Sequence, residues 1–206
     1  ERNIFLHILT GCNLACRHCY INRDQHGSEM VSRQTMGDWL KLFHDPEKES
    51  NIIFLGGEPT MHPDLAFGIK KARELGYSSV TVDTNGYLFH DLLDHILPTD
   101  AVLSFSLDGP DAEVNDPIRG EGVFATCTTN LKKAVARGFK TSLIYTVSRM
   151  NLKYLQRMPE LLATAASCDS RPCRCSFSRT SMMPSIMHPR VPARPTEHPS
   201  ASTPAD

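Results

Sequence analysis

Short apolar runs, many of them β-branched, alternate along this chain with stretches in which apolar residues recur every three or four positions. The first pattern favours strands and the second amphipathic helices. Ile4 to Leu9 predicts a first strand, after which Met36, Trp39, Leu40 and Phe43 mark one helical face. Ile52 to Leu55 is fully apolar, as expected of a buried parallel strand. Leu65, Ile69 and Ala72 then share a helical face, and Gly76 is placed to end that helix in the left-handed region.

Val80 to Val82 predicts a third strand, and a short helix through Leu92, Leu93 and Ile96 stops before Pro98. Ala101 to Leu107 predicts a fourth strand. Phe124, Cys127, Leu131 and Val135 give the next helical face, closed by Gly138, and Ser142 to Val147 is a fifth strand leading into a helix over Leu152 to Ala166. Five β-then-α units in succession predict an α/β fold with a parallel sheet and right-handed crossovers. Such a sheet is doubly wound or curls into a partial barrel. In both cases functional groups gather at the C-terminal ends of the strands.

Composition changes the picture beyond Ser167. Residues 167–206 hold seven of the fourteen prolines, eight serines, no glycine and one aromatic, Phe177. Such a stretch cannot supply another strand and helix with a packed face, so it reads as a disordered tail after a catalytic domain over 1–166. A frameshift would also explain the switch. Met182-Met183-Pro184 requires ATG ATG CCN, which puts a TGA stop in one shifted frame and leaves the other open.

Twenty-two Lys and Arg against 23 Asp and Glu leave no basic excess, so nucleic acid is not indicated as a partner. No apolar run reaches the roughly 18 residues of a membrane span and no signal-peptide layout opens the chain, which makes the cytoplasm the expected compartment. The chain begins at Glu1 rather than Met, as if an N-terminal piece were missing.

Candidate chemistry is concentrated in Gly11-Cys12-Asn13-Leu14-Ala15-Cys16-Arg17-His18-Cys19-Tyr20, directly after the first strand. Three of the seven cysteines crowd this loop, which suits metal ligation better than disulfides. Three thiols can take three corners of an iron–sulfur cubane and leave the fourth iron open as a reaction site. Zinc is the competing metal, with His18 or a distant cysteine as fourth ligand. Arg17 and His18 otherwise face solvent in this reading and carry no role.

Gly56-Gly57-Glu58 follows the second strand, where two glycines allow close backbone approach and Glu58 can accept hydrogen bonds from an ammonium group. Asn85, in Thr84-Asn85-Gly86, serves turn chemistry or a pocket. The same choice holds for Ser106 and Asp108 in Ser104 to Pro110. Arg119 either pairs with a carboxylate or is solvated on a loop. Tyr145 to Val147 reads mainly as core packing, with an adenine contact as the alternative.

Cys12, Cys16 and Cys19, followed by Tyr20, match the CxxxCxxC signature of radical S-adenosylmethionine (SAM) enzymes, and the resemblance extends from about Ile4 to Asn151. It implies a partial (β/α) barrel and a [4Fe-4S] cluster on the three cysteines. SAM would be chelated to the open iron and reductively cleaved to a 5′-deoxyadenosyl radical for hydrogen-atom abstraction. Gly56, Gly57 and Glu58 resemble the family's GGE motif for the methionine amino group. Ser106 and Asp108 resemble the Ser-x-Asp-Gly element that lines the SAM pocket in SPASM-type peptide and protein maturases such as sulfatase-maturating enzymes. Tyr20 and Asn85 join that pocket, and Arg119-Gly120 fits the same branch.

The resemblance further implies a peptide or protein substrate and an electron donor such as flavodoxin or ferredoxin. It also leads one to expect six β/α units, of which five are legible, so the chain reads as truncated. Cys168, Cys173 and Cys175 do not fit the maturases' C-terminal extension and read as incidental. The alternatives are a truncated chain that binds a cluster without turnover, and a zinc-binding interaction module.

Overall fold

A computed structural model describes residues 1–21, 23–89 and 91–161 of the chain. Its five strands are β1 (Arg2–His7), β2 (Ser50–Leu55), β3 (Ser79–Thr84), β4 (Val102–Ser106) and β5 (Lys140–Ile144). All pair in parallel, in the spatial order β1-β2-β3-β4-β5. The helices are α1 (Arg33–Phe43), α2 (Leu65–Leu75), α3 (Leu92–His95), α4 (Ala112–Arg119) and α5 (Val123–Ala136). This is an open, partial β/α barrel.

The register explains the core. Leu6 lies beside Phe54, Phe54 beside Val82, and Val82 beside Leu103. These side chains share one buried cluster with Met36 and Leu40 of α1, Leu65, Ile69 and Ala72 of α2, and Cys127, Leu131 and Ala134 of α5. Ser32 caps α1 by accepting from Thr35 N at 3.1 Å. Gly76, with φ of 90°, ends α2 in the left-handed region as expected.

Strand ends differ from the sequence reading. β1 runs from Arg2 to His7; beyond it Ile8 N still donates to Leu55 O at 3.0 Å, while Ile8 O accepts from Val31 N at 2.9 Å and Leu9 bridges Met30 antiparallel. β5 runs from Lys140 to Ile144, and Thr146 N turns instead to the Asp108 carboxylate at 2.8 Å. The helix expected from Leu152 begins as 3₁₀ over Leu152–Arg157, and residues 162–166 lie outside the described residues. So does the stretch 167–206, with Cys168, Cys173 and Cys175.

One helix was not foreseen. α4 covers the stretch around Pro117 and is nucleated by Asp111, which accepts from Val114 N at 3.1 Å. It carries Arg119 into the interior, so the arginine is buried rather than solvated on a loop. Among the described residues no helix is long and apolar enough to cross a membrane.

Candidate functional site

The loop leaving β1 carries Cys12 and Cys16 half-buried and Cys19 exposed, all as free thiols. Each sulfur has a neighbour in the protein. Cys12 Sγ lies 3.5 Å from Leu14 N and 3.9 Å from Asn85 Nδ2. Cys16 Sγ lies 3.9 Å from Arg119 O, and Cys19 Sγ 3.6 Å from His26 Nε2. Burial pushes the Cys12 and Cys16 thiols up first, and both are raised further by the charge of Cys19, so the three sulfurs are electrostatic neighbours.

Thiols that resist ionising beside one another favour a cation or a positively charged iron–sulfur core among them. Among the described residues no three His, Cys, Asp or Glu side chains are grouped to hold a single metal ion. Cys127, the fourth described cysteine, is buried with its sulfur 4.0 Å from Ser106 O, and burial raises it to about 12. The donor set therefore fits a three-thiolate cluster.

The Gly56-Gly57-Glu58 loop lies directly on the entrance to the cysteine loop. Gly57 N donates to Leu9 O at 3.0 Å and Glu58 N to Gly11 O at 2.8 Å. A Cβ on Gly57 would overlap the Gly11 backbone, and Gly56, with φ of 146°, faces Leu9 O in the same way. The close approach these glycines permit is thus backbone on backbone.

Glu58 is buried, 1% exposed. Its Oε1 accepts from Thr60 N (3.0 Å), Thr60 Oγ1 (2.6 Å) and Thr84 Oγ1 (2.7 Å), and its Oε2 from Asn85 N (2.7 Å). Burial pushes this carboxyl above the usual range, and the four donors pull it back only in part. The same turn holds Asn85, whose Oδ1 accepts from Tyr87 N at 2.8 Å while its Nδ2 donates to Asn13 Oδ1 at 2.8 Å. Asn85 therefore shapes the turn, one of its two readings, and its side chain also reaches the cysteine loop.

A second cluster lies at the ends of β4 and β5. Asp108 is fully buried; Arg119 Nε stands 2.6 Å and His18 Nε2 2.8 Å from its Oδ2. Burial alone would raise this carboxyl, but the His18 contact and the Arg119 guanidinium outweigh it and hold it below the usual range. Asn151 closes the group by donating to Asp108 O at 3.1 Å and Thr146 O at 3.0 Å. Tyr145 Oη donates to Asn151 O at 2.7 Å, in keeping with core packing.

On the sheet face away from the core, Asp83 lies beside Ser104 and Ser104 beside Ser142, whose hydroxyls are 2.9 Å apart. Burial, with a contribution from the charge of Glu58, raises Asp83 to about 6. Its charge is felt by the exposed Tyr20, whose ring stands edge-on to His7 at 6.1 Å. Ser106 ends β4 beside Ile144.

The strand ends thus bring together Cys12 with Asn85, Glu58 with Asn85, and Cys16 with the Asp108 cluster. His18 does not face solvent as expected; a carboxylate 90 positions away draws it inward. No local signal announces that pairing. Asn151 and Asp83 were also missed, although Ser148-x-x-Asn151, in which the Asn151 carboxamide accepts from Ser148 N at 2.7 Å, is a turn signal readable in the sequence.

Comparison with known proteins bears on the same residues. Residues 6–162 match the radical SAM superfamily. Fe-coproporphyrin III synthase of Methanosarcina barkeri is 33% identical over 159 residues, covering 73% of this chain and 38% of the relative. Mycofactocin maturase MftC of Mycobacterium ulcerans is 31% identical over 150 residues, covering 70% of this chain and 39% of the relative. The chain therefore spans about two-fifths of the length of these relatives. The solved structure of Streptococcus suis SuiB bound to precursor peptide SuiA superposes with a TM-score of 0.66 at 18% identity, over 80% of this chain and 37% of that one. Fold, cysteine spacing and family match agree: this chain belongs to the radical SAM superfamily.

Proposed function

We propose that this chain forms the cluster- and SAM-binding part of a radical SAM enzyme that modifies a peptide or protein. The observation that carries the reading is the loop of three free, mutually interacting thiols at the C-terminal end of a parallel β/α sheet, with no fourth cysteine beside them among the described residues. Cys12, Cys16 and Cys19 would hold a [4Fe-4S] cluster. When bound, it supplies one electron to SAM, whose C5′–S bond breaks to give methionine and a 5′-deoxyadenosyl radical that takes a substrate hydrogen atom.

The remaining residues act on geometry. Gly56 and Gly57 fit the loop after β2 against Leu9 to Gly11. Glu58 ties the exits of β2 and β3 together through four hydrogen bonds. Asn85 offers an amide N–H toward Cys12 Sγ, a contact that would favour its thiolate. Ser106 and Tyr20 complete the walls around the space for SAM, and the fully buried Asp108 supports them from behind. A peptide is favoured as substrate by the mycofactocin maturase relative and by the SuiB fold. A flavodoxin or ferredoxin is the fitting electron donor.

Anaerobic reconstitution tests this. About four irons and four sulfides per chain are expected, and strong reduction with SAM should yield 5′-deoxyadenosine. One zinc and no sulfide would replace the reading with a zinc module. A full cluster without SAM cleavage would mark a cluster-binding chain without turnover.

A further inference from the structure

We propose that His18, Asp108 and Arg119 form a clasp that fixes the cysteine loop against β4 and α4 before any metal is bound, with His18 as the positioning residue for the thiols on either side of it. The proposal concerns the chain's own conformation and deepens the radical SAM reading, on which only its relevance to the cluster rests.

Asp108 is held on all sides. Its N–H donates to Asn115 Oδ1 at 2.9 Å, its carbonyl accepts from Asn151 Nδ2 at 3.1 Å, and its Oδ1 accepts from Thr146 N at 2.8 Å. Only Oδ2 is left, and it meets both His18 Nε2 and Arg119 Nε. The Asp108–Arg119 pair already balances its charge inside the protein, so His18 is not needed for neutrality. What the imidazole adds is attachment of the loop.

Three successive loop residues dock on the segment between Asp108 and Arg119. Cys16 Sγ–H approaches Arg119 O, Arg17 N donates to Ile118 O at 2.9 Å, and His18 reaches Asp108. His18 is the one whose side chain carries polar recognition, through a short contact with Asp108 Oδ2 that, like that of Arg119 Nε, is an ion pair without hydrogen-bond alignment, and its other ring nitrogen is buried without a hydrogen-bond partner among the described residues. The ring is therefore oriented through Nε2 alone. Because Cys16 lies two residues before it and Cys19 one after, the His18 anchor acts on both thiols, together with the Cys16 and Arg17 contacts to α4.

Alkylation of the reduced, metal-free chain by iodoacetamide tests the clasp, with each cysteine followed separately by peptide mass spectrometry. His18→Leu keeps comparable bulk without a donor and should speed modification of Cys16 by about two- to fivefold, the scale expected for loss of one ion-pair contact. Gln can place an N–H near the position of the histidine Nε2, so His18→Gln should recover most of the protection. Buried Cys127 reports on the fold and should stay slow in both variants.

After reconstitution, iron should escape to a chelator faster from His18→Leu than from the unsubstituted chain, with His18→Gln again close to the latter. Equal Cys16 rates in all three proteins would overturn the clasp. So would joint acceleration of Cys16 and Cys127, which would make His18 a general support of the fold. Clear alkylation differences in a chain that retains no iron or sulfide would uphold the clasp while removing the cluster reading.

Discussion

The two faces of the sheet follow opposite rules. Toward α1, α2 and α5 stand Leu6, Ile52, Phe54, Val82, Leu103 and Phe105, all buried. Toward the other side stand Phe5, Ile53, Thr81 and Val102, then Asp83, Ser104 and Ser142, a mixed surface in which Phe5 is 63% exposed. β2 shows the contrast within one strand, since its buried and half-buried residues alternate strictly although its last four are all apolar. A uniformly apolar run thus need not be covered equally on both sides. The helix face secures the fold, and the other face carries polar and half-buried residues.

Truncation on each face should break or sharpen this contrast. Phe54→Ala removes a fully buried ring from the helix face and should cost about 3–5 kcal/mol in denaturant unfolding. A loss near the surface range would mean that the core relaxes far more than its packing suggests. Where the faces meet at the rim, Glu58→Gln turns an amide N–H toward donors that now face a carboxylate. It should cost about 1–3 kcal/mol even in the metal-free protein. An unchanged melt would show that the four hydrogen bonds do not restrain the two strand exits.

The open face should show itself through pH. Asp83 is raised to about 6 in the folded chain, whereas an unfolded aspartate titrates near 4. Between those values the folded protein keeps a proton that the unfolded chain has released, so this group makes stability fall as pH rises from about 4 to about 6. Asp83→Asn should therefore be more stable than the parent by about 3 kcal/mol at pH 7 and nearly equal to it near pH 4. Melting curves at the two pH values decide; a constant difference would assign the effect to packing instead. The smallest change is Phe5→Ala, expected within about 0.5 kcal/mol because its ring is largely in solvent. A core-sized loss there would show that something covers this face in solution.

The five strands and their parallel direction were legible because each is a local apolar run followed by a local helical period, whereas their spatial order was not, since the same pattern serves a doubly wound sheet. Ends were less so. Whether Ile8 or Thr146 belongs to a strand depends on partners such as Val31 and Asp108 that lie far along the chain. α4 escaped because Pro117 and its polar neighbours resemble a loop until Asp111 is seen to cap them. The cysteine loop was legible as a spacing. The burial of Arg119 and the inward turn of His18 were not, since ion pairs between distant positions leave no periodicity to read.

Strand order in space equals strand order in sequence, and this has a kinetic side. Each strand meets its predecessor as soon as it is made, so the sheet can grow by accretion during synthesis, every step spanning one β/α unit. The Cys16–Arg119 contact instead spans 103 positions. Until α4 has left the ribosome and docked, the cysteine loop waits without its clasp. In a nascent chain, the interval between translation of Cys19 and of Arg119 is when these thiols are most open to oxidants, to stray metal ions, and to whatever delivers iron and sulfide.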